Sequence, residues 1–327
     1  MTQFYLGRRC HALANRWPAA DSLLRGLDVA ALRLTGHIVG SMDIERASAT
    51  ADAFGRWLGP GLRQQAHILR NLRIAFPNQG DAWIRGTAGA IWGRIFSTVA
   101  EYPHLPAIAG DGDTARVELV THFDLEPARR GEQPLLLAGI HQANWNVHGA
   151  LGKIAGLPLS VIYGSQPNAR LEAIITGYRS RMPCSFIHVR AGARGIITAI
   201  GEGHHVGTFV DARRPDFPMV PFFGHPAETT SVPARLAIKL GLALAPVRLE
   251  RLPGVRFRAT FHTPLAPDPA IADPRNAALE MTARLNLLIE QWIHACPEDW
   301  ICAKRRWPRE IQGEPRLAVH LANNRTK

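Results

Sequence analysis

The pattern of apolar residues changes near Arg116, and this change constrains the fold of the 327-residue chain more than any other feature. Beyond it, short apolar runs alternate with amphipathic segments of helical spacing. The apolar runs cover residues 135–140, 159–163, 186–189, 206–210 and 243–249. Because strands that alternate with helices build a largely parallel sheet covered by helices, the sequence predicts an α/β fold.

The residues before this change show the periodicity of helices. The first predicted helix carries one apolar stripe, made of Leu23, Leu24, Leu27, Ala30, Ala31, Leu34, Ile38 and Val39. Such a stripe either packs in the core or lies on a membrane surface, and the basic charge nearby keeps the second option open. Further helices are predicted at residues 44–58, 61–75 and 81–102.

One structural domain is expected, with three portions. Residues 1–105 form a helical portion with the option of membrane association, 106–308 an α/β core, and 309–327 a polar tail. Residues 248–258 alternate around Pro253-Gly254, which predicts an antiparallel hairpin and therefore a mixed sheet. A long helix is predicted at 274–295.

The chain carries a formal net charge of +11, and only four of its 38 basic residues are lysines. Guanidinium groups bind phosphate and carboxylate in bidentate fashion. A GC-rich genome also favours arginine over lysine, so the sign of the charge is firmer evidence than the residue type. That sign predicts attraction to anionic lipid, acidic proteins or nucleic acid.

Cysteine usage and hydropathy indicate the compartment. The chain has no CxxC pair, which predicts a reduced, cytoplasmic setting; its four cysteines are Cys10, Cys184, Cys296 and Cys302. Charged residues interrupt the first forty positions, so we expect no signal peptide. The longest uncharged run, between Glu132 and Lys153, contains polar residues that a lipid-spanning helix excludes, and no transmembrane helix is predicted.

Two common hydrolytic sites do not fit the sequence. The segment around Ser165 is not the GxSxG turn of a serine hydrolase. The spacings of His141 and His148, and of His204 and His205, match no known zinc site, so no metal is expected.

His141 directly follows the apolar run 135–140 and precedes a predicted helix. It is therefore expected at the carboxyl end of a buried strand, the edge where open α/β sheets bind ligands. A histidine there is either structural or a base that removes a hydroxyl proton while a neighbouring acid fixes its tautomer. Positions i and i+5 meet only across a strand-to-helix turn, because on a continuous helix they point about 140° apart.

The segment from His141 to Asn146, which reads His-Gln-Ala-Asn-Trp-Asn, resembles the His-X4-Glu/Asp motif of the bacterial late acyltransferases of lipid A biosynthesis. His-Phe-Gly-Asn-Trp-Glu is common in that family. Other segments resemble the family in its own order, at residues 71–77, 163–181, 207–214, 220–224, 229–230, 297–300 and 304–307. The resemblance spans about residues 60–308 and implies a glycerolipid acyltransferase-like fold. This chain departs from the pattern at Asn146, where the family has an acid, and at Ala212, where it has Gln.

The resemblance implies transfer of a fatty acyl group from acyl carrier protein, or from coenzyme A, to a hydroxyl of a lipid A precursor. The enzyme would be a monomer attached peripherally to the cytoplasmic face of the inner membrane and would need no cofactor. His141 would act as base, with Asn146 and Asp211 as catalytic candidates, and backbone amides at the following helix start would hold the oxyanion. The substrate-binding candidates are Arg170, Arg179, Arg181, Arg213 and Arg214.

Asn146 leaves three interpretations open. The amide suffices for catalysis, another acid such as Asp211 approaches His141, or activity is reduced and the chain binds glycolipid without acylating it. Asp211 itself is either a partner of His141 or a helix cap or ion-pair partner of Arg213 or Arg214. The acceptor is alternatively another glycolipid or a lysophospholipid. A nucleic-acid binder is less favoured, because the basic residues are dispersed and no recognition motif is present.

Overall fold

The structure, a computed structural model, describes residues 18–110, 115–166 and 168–313. It begins with four helices, α1 (Pro18–Gly40), α2 (Ile44–Leu58), α3 (Gln65–Ala75) and α4 (Asp81–Ala100). The third helix begins four residues later than predicted, after a 3-10 turn at Gly59–Gly61, and the fourth ends two residues earlier, before a 3-10 turn that contains Pro103. Most of the predicted tail, 309–327, and Cys10 lie outside the described residues.

Within the described residues, seven strands form one sheet in the order β1-β9-β8-β2-β5-β3-β4, and β6 and β7 form a separate ladder. The strands are β1 (Val117–Thr121), β2 (Leu135–Gly139), β3 (Leu159–Tyr163), β4 (Ser185–His188), β5 (His205–Phe209), β6 (Met219–Phe222), β7 (His225–Glu228), β8 (Ala243–Leu252) and β9 (Arg256–Phe261). Five adjacent strands from β8 to β4 are parallel, whereas β9 is antiparallel to β8. The predicted mixed, largely parallel α/β sheet is confirmed.

Helices connect the strands and cover the sheet. They are α5 (Leu105–Ile108), α6 (Glu126–Arg129), α7 (His148–Ala155), α8 (Ala169–Arg179), α9 (Gly192–Gly201), α10 (Val232–Leu240) and α11 (Pro274–Ala295). The predicted long helix at 274–295 is confirmed. So is the hairpin of β8 and β9, which turns at Gly254 with a φ of 72°.

Strand β2 is buried along its whole length. Leu136 and Ala138 belong to one core cluster, together with residues of α3, α4, α10 and α11. Leu135 and Leu137 point to the opposite face, into a second cluster that includes residues of α7. Burial on both faces explains why the strand is a continuous apolar run rather than an alternating one.

Helix α1 places most of its apolar stripe in solvent. Leu23, Leu27, Leu34 and Ile38 are 50–67% exposed. The opposite face packs instead: Val29 is buried, and a Cβ at Gly36 would lie 2.5 Å from the Tyr178 hydroxyl. The core interpretation of the stripe is therefore wrong for these four residues, because periodicity reveals an apolar face but not what covers it. None of the described helices is both long and apolar enough to cross a membrane.

Candidate active site

His141 and Asp211 meet at the carboxyl edge of the sheet. Strands β2 and β5 are parallel neighbours in which Gly139 pairs with Phe209, and each side chain of interest lies two residues further on. His141 Nδ1 lies 2.8 Å from Asp211 Oδ1, and the His141 backbone N–H donates to Asp211 Oδ2 at 3.2 Å. Because an ionised carboxylate only accepts, Nδ1 carries the proton and Nε2 presents its lone pair.

The carboxylate of Asp211 is kept ionised. Burial would raise its pKa, but the charge of His141, two hydrogen bonds from His141 and the charge of Arg306 together lower the pKa below its usual value. Arg306 is itself buried, and burial lowers its pKa to about 10. Its guanidinium donates to the Glu228 carbonyl and the Thr229 hydroxyl. The Arg306 side chain therefore lies in the core.

Aromatic rings fix the plane of the His141 imidazole. Phe209 stacks on it at 4.8 Å between centroids, and Trp145 meets it edge-on at 5.8 Å. Buried His148 also contacts Phe209, edge-on at 4.9 Å between centroids, and a Cβ at Gly139 of β2 would lie 2.6 Å from its Nε2. Burial lowers the pKa of His148 to about 4, so this second histidine is neutral at physiological pH.

The chain bends sharply after His141. Ala143 adopts a φ of 48°, a left-handed conformation that costs a residue with a Cβ on the order of 1 kcal/mol. Its N–H donates to the Asp299 carbonyl, and its carbonyl accepts from the Thr98 hydroxyl. These bonds to two distant segments hold the strand-to-helix turn that the motif requires.

Asn146 makes its hydrogen bonds away from His141. Its Nδ2 donates to Asn144 Oδ1 at 3.1 Å, and its Oδ1 accepts from Arg179 Nε at 3.4 Å. Of the two catalytic candidates besides His141, the structure therefore brings only Asp211 into contact with the imidazole.

A buried ion pair is linked by a hydrogen bond to the turn that follows His141. Glu101 and Arg251 bond through both guanidinium NH2 groups at 2.8 and 2.9 Å, and Glu101 is fully buried. The same carboxylate accepts from Asn144 Nδ2 at 2.8 Å and from the Ser48 hydroxyl at 2.7 Å. Since Asn144 also caps the 3-10 turn at Trp145–Val147, the ion pair anchors the whole segment.

The five predicted substrate-binding arginines fall into two groups. Arg213 forms a bidentate ion pair with buried Glu228, and exposed Arg214 pairs with Asp216. Arg170, Arg179 and Arg181 lie on or just beyond α8, with Arg170 and Arg181 exposed. Only Arg179 contacts the His141–Asn146 segment, and the rise of the helix separates it from Arg170 by about 13 Å.

Four residues of this site carry no signal in the sequence that predicts their role. Glu101, Arg251 and Asp299 are at least 40 positions from His141 in the chain, and Arg251 and Asp299 each follow another charged residue, as surface residues often do. Arg306 lies in a basic run, and its only hint of burial is the adjacent Trp307. No group of three or more potential metal-ligating side chains occurs in the described part of the chain. Cys184, Cys296 and Cys302 are free thiols.

A histidine that donates to a carboxylate, at the carboxyl edge of a mixed α/β sheet, is an arrangement that enzymes use to activate a nucleophile by general-base catalysis. The sequence profile of the bacterial lipid A biosynthesis acyltransferases matches residues 27–309. The chain belongs to this family, and it is an acyltransferase of lipid A synthesis. No curated protein matches it significantly.

Proposed function

We propose that the protein transfers a fatty acyl group from acyl carrier protein to a hydroxyl of a lipid A precursor. The observation that carries this proposal is the hydrogen bond between Asp211 and His141, the first residue of the motif segment, in a chain that belongs to the family. The pair supplies the base that a hydroxyl needs before it attacks a thioester.

In the proposed reaction, His141 Nε2 removes the proton of the acceptor hydroxyl as its oxygen attacks the thioester carbonyl carbon. The negative charge of Asp211 stabilises the imidazolium that forms. Collapse of the tetrahedral intermediate breaks the C–S bond, and the imidazolium returns the proton to the departing thiolate. The products are an ester and the free thiol of the carrier.

The oxyanion of the intermediate needs backbone donors beside His141. Within the turn, four amides are already bonded inside the protein, those of Gln142, Ala143, Asn146 and Val147. The amides of Asn144 and Trp145 are therefore our candidates for the oxyanion hole.

The acyl-transfer proposal is tested by mass spectrometry. Carrier proteins loaded with acyl chains of several lengths are incubated with lipid A precursors, and we expect a product heavier by one acyl group. His141→Ala should lower the rate at least about 100-fold, the usual share of a general base. Unchanged turnover in this variant would exclude His141 as the base. Glycolipid binding without product from any donor would favour a binding protein that does not acylate.

We further propose that the exposed face of α1 lies on the anionic cytoplasmic surface of the inner membrane. Leu23, Leu27, Leu34 and Ile38 form one apolar face, and Trp57 on the adjacent helix is 74% exposed. The net charge of +11 favours anionic lipid headgroups.

Vesicle sedimentation tests this membrane face. With vesicles of phosphatidylethanolamine and phosphatidylglycerol, Leu27→Ser combined with Leu34→Ser should lower the partition coefficient at least about tenfold, because apolar area no longer leaves water. Leu287→Ser, which changes a 56% exposed leucine on α11, is the matched control. An equal loss of vesicle binding in the α1 double variant and in Leu287→Ser would contradict the proposal that this face binds the membrane.

A further inference from the structure

Arg179 is a cation without a carboxylate beside the active-site turn. Its Nε and one terminal nitrogen donate to neutral oxygens, those of Asn146 at 3.4 Å and of the Tyr102 hydroxyl at 3.5 Å. Its other terminal nitrogen, NH1, is buried and has no hydrogen-bond partner. An unsatisfied guanidinium N–H is costly, and an anionic oxygen is the partner that satisfies it best.

The acids around the site each have a partner other than Arg179, and buried Arg306 donates to the Glu228 carbonyl and the Thr229 hydroxyl. Among the described residues, Glu101 pairs with Arg251, Asp299 with Arg94, Glu228 with Arg213, and Asp211 with His141. Three of these acids thus have a guanidinium partner, Asp211 accepts from the imidazole of His141, and none of the four bonds to Arg179. The positive charge of Arg179 is left over because its neighbour at position 146 is an amide.

We propose that Asn146 keeps the charge of Arg179 uncompensated, so that this arginine binds a phosphate ester of a substrate next to His141. An acid at position 146 would occupy the guanidinium within the protein, whereas the amide holds it in place without neutralising it. The Tyr102 hydroxyl accepts from Arg179 and still has its own proton to donate to the same anion. The residue at position 146 thus determines substrate affinity in this chain, while Asp211 fixes the tautomer of His141.

The position of Arg179 suits a substrate that spans water and lipid. Helix α8 ends at Arg179, and its Tyr178 packs under Gly36 of α1. Helix α8 therefore packs beside the helix whose far face carries the exposed apolar residues. A glycolipid held by its phosphate at Arg179 would keep its acyl chains near that face. This inference rests on the proposed acyl transfer, and it adds the group that Arg179 recognises.

Steady-state kinetics on four variants test the inference. Arg179→Gln removes the charge but keeps a donor, Arg179→Lys keeps the charge, and Asn146→Asp supplies an internal carboxylate. We expect Arg179→Gln and Asn146→Asp each to raise KM at least about tenfold with kcat within about threefold. The double variant, Arg179→Gln with Asn146→Asp, should have a KM no higher than that of the single variant with the higher KM, since both changes remove the same charge. Arg179→Lys should recover most of the affinity.

Two sets of KM measurements identify which substrate carries the phosphate that Arg179 binds. KM is measured for the acceptor at saturating donor and for the donor at saturating acceptor, because the carrier's pantetheine arm also contains a phosphate. A rise confined to the acceptor, absent with a dephosphorylated acceptor, assigns the site to the glycolipid phosphate. A rise confined to the carrier assigns it to the pantetheine phosphate. Arg130→Gln, which removes an exposed arginine at the opposite edge of the sheet, is the control.

Three results would overturn the inference. An increase of kcat in Asn146→Asp would show that a carboxylate there serves His141. Unchanged KM in Arg179→Gln would show that the arginine binds no substrate, and a lowered melting temperature with equal losses for all substrates would make it structural. If the wild-type protein transfers no acyl group, the proposed function fails separately. Dissociation constants for phosphorylated and dephosphorylated glycolipid then still decide the role of Arg179.

Discussion

Asp211→Asn is expected to lower kcat by on the order of 10⁴-fold, the loss that the same change causes in a serine protease. The carboxylate accepts two hydrogen bonds from His141, one from the backbone N–H and one from Nδ1–H. An amide has one oxygen and can accept only one of them. If that oxygen faces the backbone, its NH2 faces Nδ1, the ring proton moves to Nε2, and the base is lost.

The loss should appear in kcat rather than in KM, because Asp211 acts on the imidazolium that forms in the transition state. Melting temperature is measured in parallel, since the Asp211 side chain is only 9% exposed. Asp81→Asn, at an exposed site on α4, is the control for the substitution itself. A kcat within tenfold of the wild-type value would mean that His141 does not depend on this carboxylate.

The sheet could be predicted from the sequence because its signal is local. Strand β2 is apolar at every position, and its neighbours are short apolar runs between helical segments, so strand existence follows from residue type alone. The observed ends of the third and fourth helices differ from the predicted ones by only a few residues, next to 3-10 turns at Gly59–Gly61 and Tyr102–His104. The hairpin turn at Gly254 was equally visible, because alternation on both sides of Pro-Gly is typical of two antiparallel strands joined by a tight turn.

The contact between His141 and Asp211 depends on strand order, which is not local. The two residues are 70 positions apart and meet because β5 lies directly beside β2, while β3 and β4 lie beyond it. Sequence reasoning identified both residues, but it could not choose between Asp211 and Asn146 as the partner of His141. Five residues of separation suggested Asn146, whereas the turn at Ala143 directs that side chain toward Arg179.

Burial of charge was the least predictable property. Arg251 and Glu101 are 150 residues apart, and each looks like an ordinary surface residue in its own segment. Arg306 lies in a basic run of the kind that usually stays hydrated, yet it is buried, with its guanidinium over the ring of Phe222. Whether a charged residue is buried or paired depends on which distant segments pack against it, and local composition does not predict this.

Glu101→Gln is expected to lower the free energy of unfolding by about 3–5 kcal/mol. The substitution preserves shape but removes the charge, which leaves the buried guanidinium of Arg251 without its counter-charge. Urea unfolding of both proteins in the same buffer measures the difference, and an unchanged m-value would confirm that only stability has changed.

The matched control is Glu118→Gln, which breaks the exposed pair with Arg258 on the same sheet. We expect a loss of less than about 1 kcal/mol there, because solvent screens an exposed pair. Similar losses of stability in the two variants would contradict the assignment of Glu101 as a buried anchor.

The Glu101 carboxylate also accepts from Asn144, which caps the turn after His141, so kcat of Glu101→Gln should fall even at temperatures where the variant is fully folded. Glu118→Gln should keep its kcat, since that pair lies on β1 and β9 and makes no bond to the turn. A loss of both stability and kcat in Glu101→Gln alone would show that one ion pair supports the fold and positions the base.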